Sequence, residues 1–206
     1  MRRASFLMLV AVALLLGGAG RAKAELIITF EQSGPDVVAT GTGSLNFLGL
    51  SFEGFDFSSP SVDASSGLVL LEPVPTTYAD YYGPISGPTS FGTGLNFDAD
   101  SGSSTAPDGT GAGVDGATDQ LLVPGGYVAG DPFTVSATWG STTIGALGLT
   151  PGTYTWTWGS GPDADSLEVI VPGAASAVPE PPSVILLLTA LLALAFTTRK
   201  QIAQRL

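Results

Sequence analysis

Two short stretches decide the fold: residues 133–139 are FTVSATW, and residues 153–158 are TYTWTW. In the first, apolar residues from Phe133 to Trp139 alternate with Ser and Thr, and in the second aromatic residues alternate with Thr. A period of two, built from β-branched and aromatic side chains, is typical of a strand with one buried face. Both stretches therefore predict β-strands whose aromatic side chains enter a core.

Similar strand signals continue on both sides of these stretches. Residues 166–171 alternate in the same way, and earlier candidates are 26–30, 37–42, 45–52, 68–71 and 95–97. Turn-forming Gly, Pro and Ser residues separate these segments, and none of them has a helical period. Eight to ten short strands without helices predict an all-β fold. We expect an antiparallel β-sandwich or jelly-roll-like domain over residues 25–172.

Residues 98–119 interrupt this pattern, because they consist mostly of Gly, Ser, Thr, Ala and Asp. This composition predicts a mobile surface loop. The alternative interpretation is a weak Ca²⁺ site at Asp98 and Asp100, since carboxylates on a flexible backbone suit this cation. The spacing is not that of an EF-hand, because Gly102 and Gly109 stand at the fifth and twelfth positions of such a loop.

Charge is unevenly distributed along the chain. The seven Lys and Arg residues lie before residue 24 or after residue 198, whereas all eighteen acidic residues lie between Glu25 and Glu180. That central stretch has no Lys, Arg or His and carries a formal charge of −18. Such a polyanion repels phosphates, so we expect no nucleic-acid partner. Without Cys or His, most nucleophile–base pairs are excluded, and we expect no enzymatic activity.

Three tyrosines, Tyr78, Tyr81 and Tyr82, lie in a segment bounded by Pro and Gly. Exposed tyrosines are able to stack on sugar rings, which makes carbohydrate binding one hypothesis for this domain. Ordinary packing against the fold is the interpretation that the sequence favours.

The first 24 residues have the features of a secretory signal peptide. Two arginines precede an apolar run over residues 6–16, which is too short to span a bilayer comfortably. Ala22 and Ala24 then supply the small residues of a cleavage site, so we expect signal peptidase to cut before Glu25. The alternative is an uncleaved N-terminal anchor.

The C-terminal region combines a proline-rich linker with an apolar segment. The linker, residues 173–183, contains Pro179, Glu180 and Pro181, and the apolar segment follows over residues 184–198. We predict that this segment is a short transmembrane helix. Local thinning of the bilayer and snorkelling of flanking basic side chains would compensate for its length.

The last eight residues, 199–206, form a basic tail. They include Arg199, Lys200 and Arg205. Basic residues beside a membrane span favour the cytoplasmic side. The tail is therefore predicted to be cytoplasmic, with the rest of the chain outside.

This C-terminal layout resembles the PEP-CTERM sorting domain, which has a Pro-Glu-Pro motif, a short apolar helix and a basic end in that order. The resemblance covers residues 177–206. It implies a Gram-negative host, a precursor held in the inner membrane, and recognition of Pro179, Glu180 and Pro181 by the membrane processing enzyme exosortase. It also implies a link with exopolysaccharide or biofilm. The alternative is a plain C-terminal anchor beside an incidental proline cluster.

Two functions are consistent with these features. The first is an exported cell-surface or extracellular-matrix protein that exosortase sorts and processes. The second is a secreted carbohydrate-binding module with a C-terminal membrane anchor. Direct binding of polysaccharide distinguishes them.

Overall fold

The computed structural model describes residues 25–74 and 77–173, which are almost entirely β-structure and irregular connections. The strands are β1 (Glu25–Ser33), β2 (Asp36–Gly43), β3 (Ser51–Ser58), β4 (Ser61–Asp63), β5 (Leu68–Leu71), β6 (Thr77–Gly83), β7 (Phe97–Asp98), β8 (Ser101–Ser104), β9 (Ala112–Asp115), β10 (Gln120–Pro124), β11 (Phe133–Trp139), β12 (Gly152–Trp158) and β13 (Asp165–Val171). Two single-turn 3-10 helices cover Pro107–Gly109 and Gly161–Asp163. None of the helices in these ranges is long and apolar enough to cross a membrane.

These strands form two sheets, an arrangement consistent with a β-sandwich. The six-stranded sheet has the order β12-β13-β1-β2-β11-β8, and the seven-stranded sheet has the order β3-β6-β10-β9-β5-β4-β7. Pairing is mostly antiparallel, which confirms the predicted all-β class.

One strand pair departs from the antiparallel prediction. β1 and β13 lie side by side and run parallel, with Glu25 opposite Ser166 and Thr29 opposite Ile170. Since the two strands run the same way, Val171 lies at the far end of the pair from Glu25. At about 3.3 Å per residue, this places them roughly 17 Å apart along the strands.

The hydrophobic core lies between the two sheets. In β1 every second side chain, Leu26, Ile28 and Phe30, is fully buried. The same buried cluster includes Val69 and Leu121 from the seven-stranded sheet. Burying a side chain of this size contributes about 1.5–3 kcal/mol to folding. This shared layer therefore holds the two sheets together.

The predicted strands at 68–71, 133–139, 153–158 and 166–171 are confirmed to within one residue. The prediction at 45–52 is wrong for most of its length, because β3 begins only at Ser51. Leu45 is fully buried, but its backbone N–H donates a hydrogen bond to the Tyr127 hydroxyl at 3.0 Å. The apolar signal there comes from an irregular segment that packs into the core.

The prediction of a mobile surface loop over residues 98–119 is also wrong. This segment contains β8, which pairs with β11, and β9, which lies between β5 and β10. In β9, Gly113 lies opposite both Leu70 and Leu122, and a Cβ atom there would collide with the Val69 carbonyl oxygen. Small residues give this segment the composition of a loop, but in the fold they allow neighbouring strands to pack closely.

Candidate functional site

Most residues of the sorting hypothesis lie outside the described residues, so the structure does not test them. These are Ala22, Ala24, Pro179, Glu180, Pro181, Arg199, Lys200 and Arg205. The same holds for the predicted signal peptide, transmembrane helix and basic tail. Glu25 is the first described residue and is an exposed residue of β1.

The two predicted calcium ligands have different places in the fold. Asp98 ends β7, whereas Asp100 accepts a hydrogen bond of 2.6 Å from the Gly140 N–H through Oδ2. Asp36 accepts a similar bond of 2.8 Å from the next N–H, that of Ser141, where φ is +52°. Asp36 and Asp100 thus stabilise the turn after β11.

Calcium usually takes six to eight oxygen ligands. The described part of the chain contains no group of three or more His, Cys, Asp or Glu residues placed to hold a metal ion. The calcium site at Asp98 and Asp100 stays a prediction.

The aromatic stripe of β12 belongs to the core, as the alternation predicts. Trp156 and Trp158 are buried, and Trp156 packs edge-on against Phe91 with ring centroids 6.3 Å apart. Their indole N–H groups donate to the backbone carbonyls of Pro88 and Asn46, at 2.9 and 2.8 Å. Both rings are therefore part of the core packing and are not exposed for binding a ligand.

The three tyrosines lie on β6, beside the edge strand β3. The Tyr82 ring lies 4.7 Å from that of Phe47 and 5.5 Å from that of Phe52. Tyr81 packs against a small cluster on the other face that includes Leu122. Packing, which the sequence favours, therefore accounts for these two tyrosines in large part.

The two most exposed phenylalanines among the described side chains lie on β3 instead. Phe52 and Phe55 are 57% and 66% exposed, which is unusual for phenylalanine in a folded domain. Neither ring is predicted to be exposed, although a signal is present in the sequence: residues 52–57 read FEGFDF, in which aromatic residues alternate with acidic residues around a glycine. An edge strand with exposed rings is a candidate contact surface.

A groove of about 270 Å³ opens along this edge, and we call it the β3 groove. It is lined by Glu53, Gly54, Phe55, Asp56, Tyr81 and Gln120. Gln120 Nε2 donates to Glu53 Oε2 at 2.7 Å, which orients both side chains. The register of β3 shifts between Phe52 and Gly54, and Gly54 has φ of +145°, a conformation that suits glycine.

The electrostatic environment beside the groove is negative. Burial raises the pKa of Asp80 on β6, and burial together with the Asp80 charge raises the pKa of Tyr82. No Lys, Arg or His lies between residues 25 and 173. The groove therefore presents carboxylate and amide oxygens with no cation. The Phe55 ring packs edge-on against Tyr78, with ring centroids 6.3 Å apart, on the face of the sheet opposite to Tyr81.

A second and larger hollow, of about 550 Å³, lies beside Trp158 and Asp165. Its buried carboxylate has structural partners: Asp165 Oδ2 accepts from the Asn46 N–H at 2.6 Å, and Oδ1 accepts from the Ser166 N–H at 2.8 Å. Threonine and serine side chains form much of the remaining lining. The hollow brings together no set of groups typical of catalysis or ligand binding.

Comparisons with known proteins add no assignment to this geometry. The chain matches no family model, no curated protein and no solved structure.

Proposed function

We propose that this chain is an exported cell-surface or extracellular-matrix protein that an exosortase-type enzyme sorts and processes. The observation that carries the proposal is the order of three features near the C-terminus: Pro179-Glu180-Pro181, the apolar segment 184–198, and the basic residues Arg199 and Lys200. The precursor is anchored in the inner membrane of a Gram-negative bacterium. The processed protein then reaches the surface, where it is associated with exopolysaccharide.

The chemistry of the motif supports recognition by a membrane-bound partner. Prolines hold the backbone extended, so Pro179 and Pro181 lose little entropy on entering an enzyme groove. A carboxylate is costly to place in hydrocarbon, which keeps Glu180 at or outside the membrane surface. There it provides a single negative charge with which the enzyme is able to pair.

The described domain is compatible with export. It has no Cys and no basic residue, and its stability comes from a core shared by two sheets rather than from disulfides. β13 ends at Val171, at the far end of the β1–β13 pair from Glu25. The last strand of the domain therefore ends on the side opposite to Glu25.

A tag placed after Leu206 tests the proposal in the native host. We expect the wild-type protein to lose the tag during processing. The variants Glu180→Ala and Pro179→Ala/Pro181→Ala should be exported and folded but should keep the tag in the membrane fraction. Glu31→Ala is the matched control, because it removes an exposed carboxylate from β1 and should be processed normally. A tag that stays on the wild-type protein would favour a plain C-terminal anchor.

The second candidate is a secreted carbohydrate-binding module with a C-terminal membrane anchor. The observation that favours it is the pair of exposed rings, Phe52 and Phe55, on the edge strand β3. Under this function, polysaccharide binding is the activity and the C-terminal segment is only an anchor. The tag experiment separates the two accounts of the tail, and direct binding of polysaccharide to the exported protein tests the second candidate.

A further inference from the structure

We infer that the surface around Asp80, at the β3–β6 edge of the seven-stranded sheet, binds an arginine side chain of a partner protein. The guanidinium group pairs with the Asp80 carboxylate and stacks on the aromatic rings beside it. We call this surface the Asp80 face, and it consists of Asp80, Phe52, Phe55, Tyr78 and Tyr82. The inference goes beyond the proposed function, because it concerns the exported domain and not the C-terminal motif.

The side chains of the Asp80 face lie on one side of the sheet. Tyr78, Asp80 and Tyr82 are alternate residues of β6, so they point to the same side. Phe55 lies directly opposite Asp80 across the β3–β6 pair, and Phe52 lies opposite Tyr82. The Phe52 ring is 5.5 Å from that of Tyr82. The Phe55 ring is 6.3 Å from that of Tyr78. Aromatic rings therefore flank Asp80 along its own strand and across to the edge strand.

The remaining neighbour of Asp80 in the sheet is also apolar. Val123 on β10 lies opposite Asp80 and is buried in the core. These neighbours keep water from the carboxyl, which is why burial raises the pKa of Asp80. The domain offers no compensating charge, since residues 25–173 contain no Lys, Arg or His. A carboxylate held where it costs stability is typical of a binding site, because the ligand offsets the cost.

The fold both positions these rings and leaves part of them accessible. A Cβ atom on Gly125, at the end of β10, would lie 2.4 Å from the Tyr78 hydroxyl oxygen. The absence of a side chain at Gly125 therefore provides the space that the Tyr78 ring occupies. Phe52 and Phe55 are exposed over more than half of their surface, so a side chain from another molecule is able to reach them and the carboxylate between the tyrosines.

The combination of one carboxylate with open aromatic rings favours a guanidinium group over other cations. Guanidinium is planar, so it donates two parallel hydrogen bonds to a carboxylate while its face stacks on an aromatic ring. It is also weakly hydrated and loses little on leaving water beside apolar neighbours, whereas the lysine ammonium group is strongly hydrated. A quaternary ammonium ion has no N–H and would donate no hydrogen bond to Asp80.

The charge of the domain indicates that the arginine comes from a different protein. A second copy of the domain has no arginine between residues 25 and 173, and it would bring two Asp80 carboxylates together. An acidic polysaccharide would be repelled by the same carboxylate. A basic protein surface, in contrast, is attracted to this acidic domain before contact and supplies the missing cation on contact.

NMR titration of the exported protein tests the inference. The probe is N-acetyl-arginine amide, which carries the arginine side chain and a single positive charge. We expect it to shift the backbone amide signals of residues 52–55 and 78–82. N-acetyl-lysine amide should bind about three- to ten-fold more weakly. N-acetyl-citrulline amide has nearly the same shape but no charge, and it should bind more weakly by about ten-fold or more.

Matched variants separate the Asp80 face from general attraction to an acidic protein. Asp80→Asn should weaken binding of the arginine probe by about ten-fold. Glu31→Gln removes an exposed carboxylate from β1 and should bind like wild type. Phe55→Ala should weaken binding by about two- to five-fold. Phe97→Ala removes a partly exposed ring from β7, at the other edge of the same sheet, and should leave binding unchanged.

The inference is overturned if the citrulline probe binds as tightly as the arginine probe, if the lysine probe binds more tightly, or if Asp80→Asn and Glu31→Gln weaken binding equally. Two other results would assign the face to a different occupant and would also overturn it. Shifts of the same amides on dilution of the protein alone would indicate a second copy. Larger shifts of these amides with the host's neutral exopolysaccharide would indicate a sugar. The C-terminal tag tests the sorting proposal separately, whichever result is obtained.

Discussion

Trp139 and Phe97 join the two sheets by a hydrogen bond: the Trp139 indole N–H donates to the Phe97 carbonyl at 2.9 Å. Trp139 belongs to β11 of the six-stranded sheet, and Phe97 belongs to β7 at one edge of the seven-stranded sheet. The Trp139 side chain is buried and also packs against Phe30, with ring centroids 5.8 Å apart. Trp156 and Trp158 on β12 likewise donate to backbone carbonyls. In each case a large apolar ring fills the core while its polar N–H satisfies a carbonyl outside the six-stranded sheet.

Trp139→Phe is the first prediction, because it removes the N–H and keeps most of the apolar ring. The Phe97 carbonyl then loses its partner at a part-buried position, and a small void remains beside Phe30. We expect a loss of about 2–3 kcal/mol in the free energy of unfolding. Urea unfolding of the exported protein measures this loss. The slope of the free energy of unfolding against urea concentration should be the same in the variant and in wild type. A change below about 0.5 kcal/mol would contradict a role for this bond in joining the sheets.

Tyr127→Phe is the second prediction. The Tyr127 hydroxyl accepts from the Leu45 N–H at 3.0 Å and donates to the Asp131 carbonyl. Phenylalanine leaves the buried Leu45 N–H without an acceptor, which should cost about 1–3 kcal/mol. Tyr154→Phe is the control, because its hydroxyl donates to the Thr150 carbonyl at an exposed position and should cost about 0.5 kcal/mol or less. Equal losses in the two variants would mean that the Leu45 bond adds nothing specific.

Asp80 gives a prediction that depends on pH. Burial raises the pKa of its carboxyl above the usual value of 3.8, so the folded state binds this proton more tightly than the unfolded state. The ionised form therefore costs stability: the cost is absent below the unfolded pKa and becomes complete as pH rises through the folded pKa. We expect Asp80→Asn to raise Tm by about 1–3 °C near pH 7. The gain should vanish below about pH 4.

Relief of general repulsion is the competing explanation for such a gain, since the domain carries many acidic residues and no basic ones. Glu31→Gln removes one negative charge from an exposed position on β1 and measures that effect. If Asp80→Asn and Glu31→Gln raise Tm equally near neutral pH, the gain comes from net charge and not from burial of Asp80.

The parts of the fold that sequence predicts well are the strands with one buried face. In β11 and β13, fully buried residues alternate with more exposed ones. This alternation is visible in the sequence of each strand alone, without knowing which strand it pairs with. β10 is different, because Leu121 to Pro124 are all buried, and burial on both faces removes the alternation. β8 reads SGSS and β9 reads AGVD, and neither has the apolar alternation of a strand. Their strand character depends on close contacts with other strands, which composition does not report.

The candidate site has the same limitation. The Phe–acid alternation in residues 52–57 is visible in the sequence, but the exposure of Phe55 depends on β3 being an edge strand. The hydrogen bond between Gln120 and Glu53 joins residues 67 positions apart in the sequence, and local sequence patterns do not predict such a contact. The sorting motif, in contrast, is local, which is why the sequence alone is sufficient to propose it.

The last prediction tests the pairing of β8 with β11, within the segment 98–119 whose composition indicates a loop. Gly102 lies on β8 opposite Ala137, and a Cβ atom there would fall 2.7 Å from the Ser136 carbonyl oxygen and closer still to that of Glu72. Both obstacles are backbone atoms, which do not move aside as a flexible side chain would. Gly102→Ala should therefore cost about 2–3 kcal/mol. Gly145→Ala is the control, because no atom lies within 4 Å of its Cβ position, and it should be close to neutral.

Urea unfolding of the two variants gives the comparison, and amide hydrogen exchange gives a second measurement. Ser101–Ser104 should exchange slowly in wild type, since β8 pairs with β11. If Gly102→Ala is as harmless as Gly145→Ala and these amides exchange at the rate of an open chain, the segment is a loop as its composition indicates. A large loss confined to Gly102→Ala, with slow exchange in wild type, would establish that a stretch of Gly, Ser and Asp forms an ordered strand in this fold.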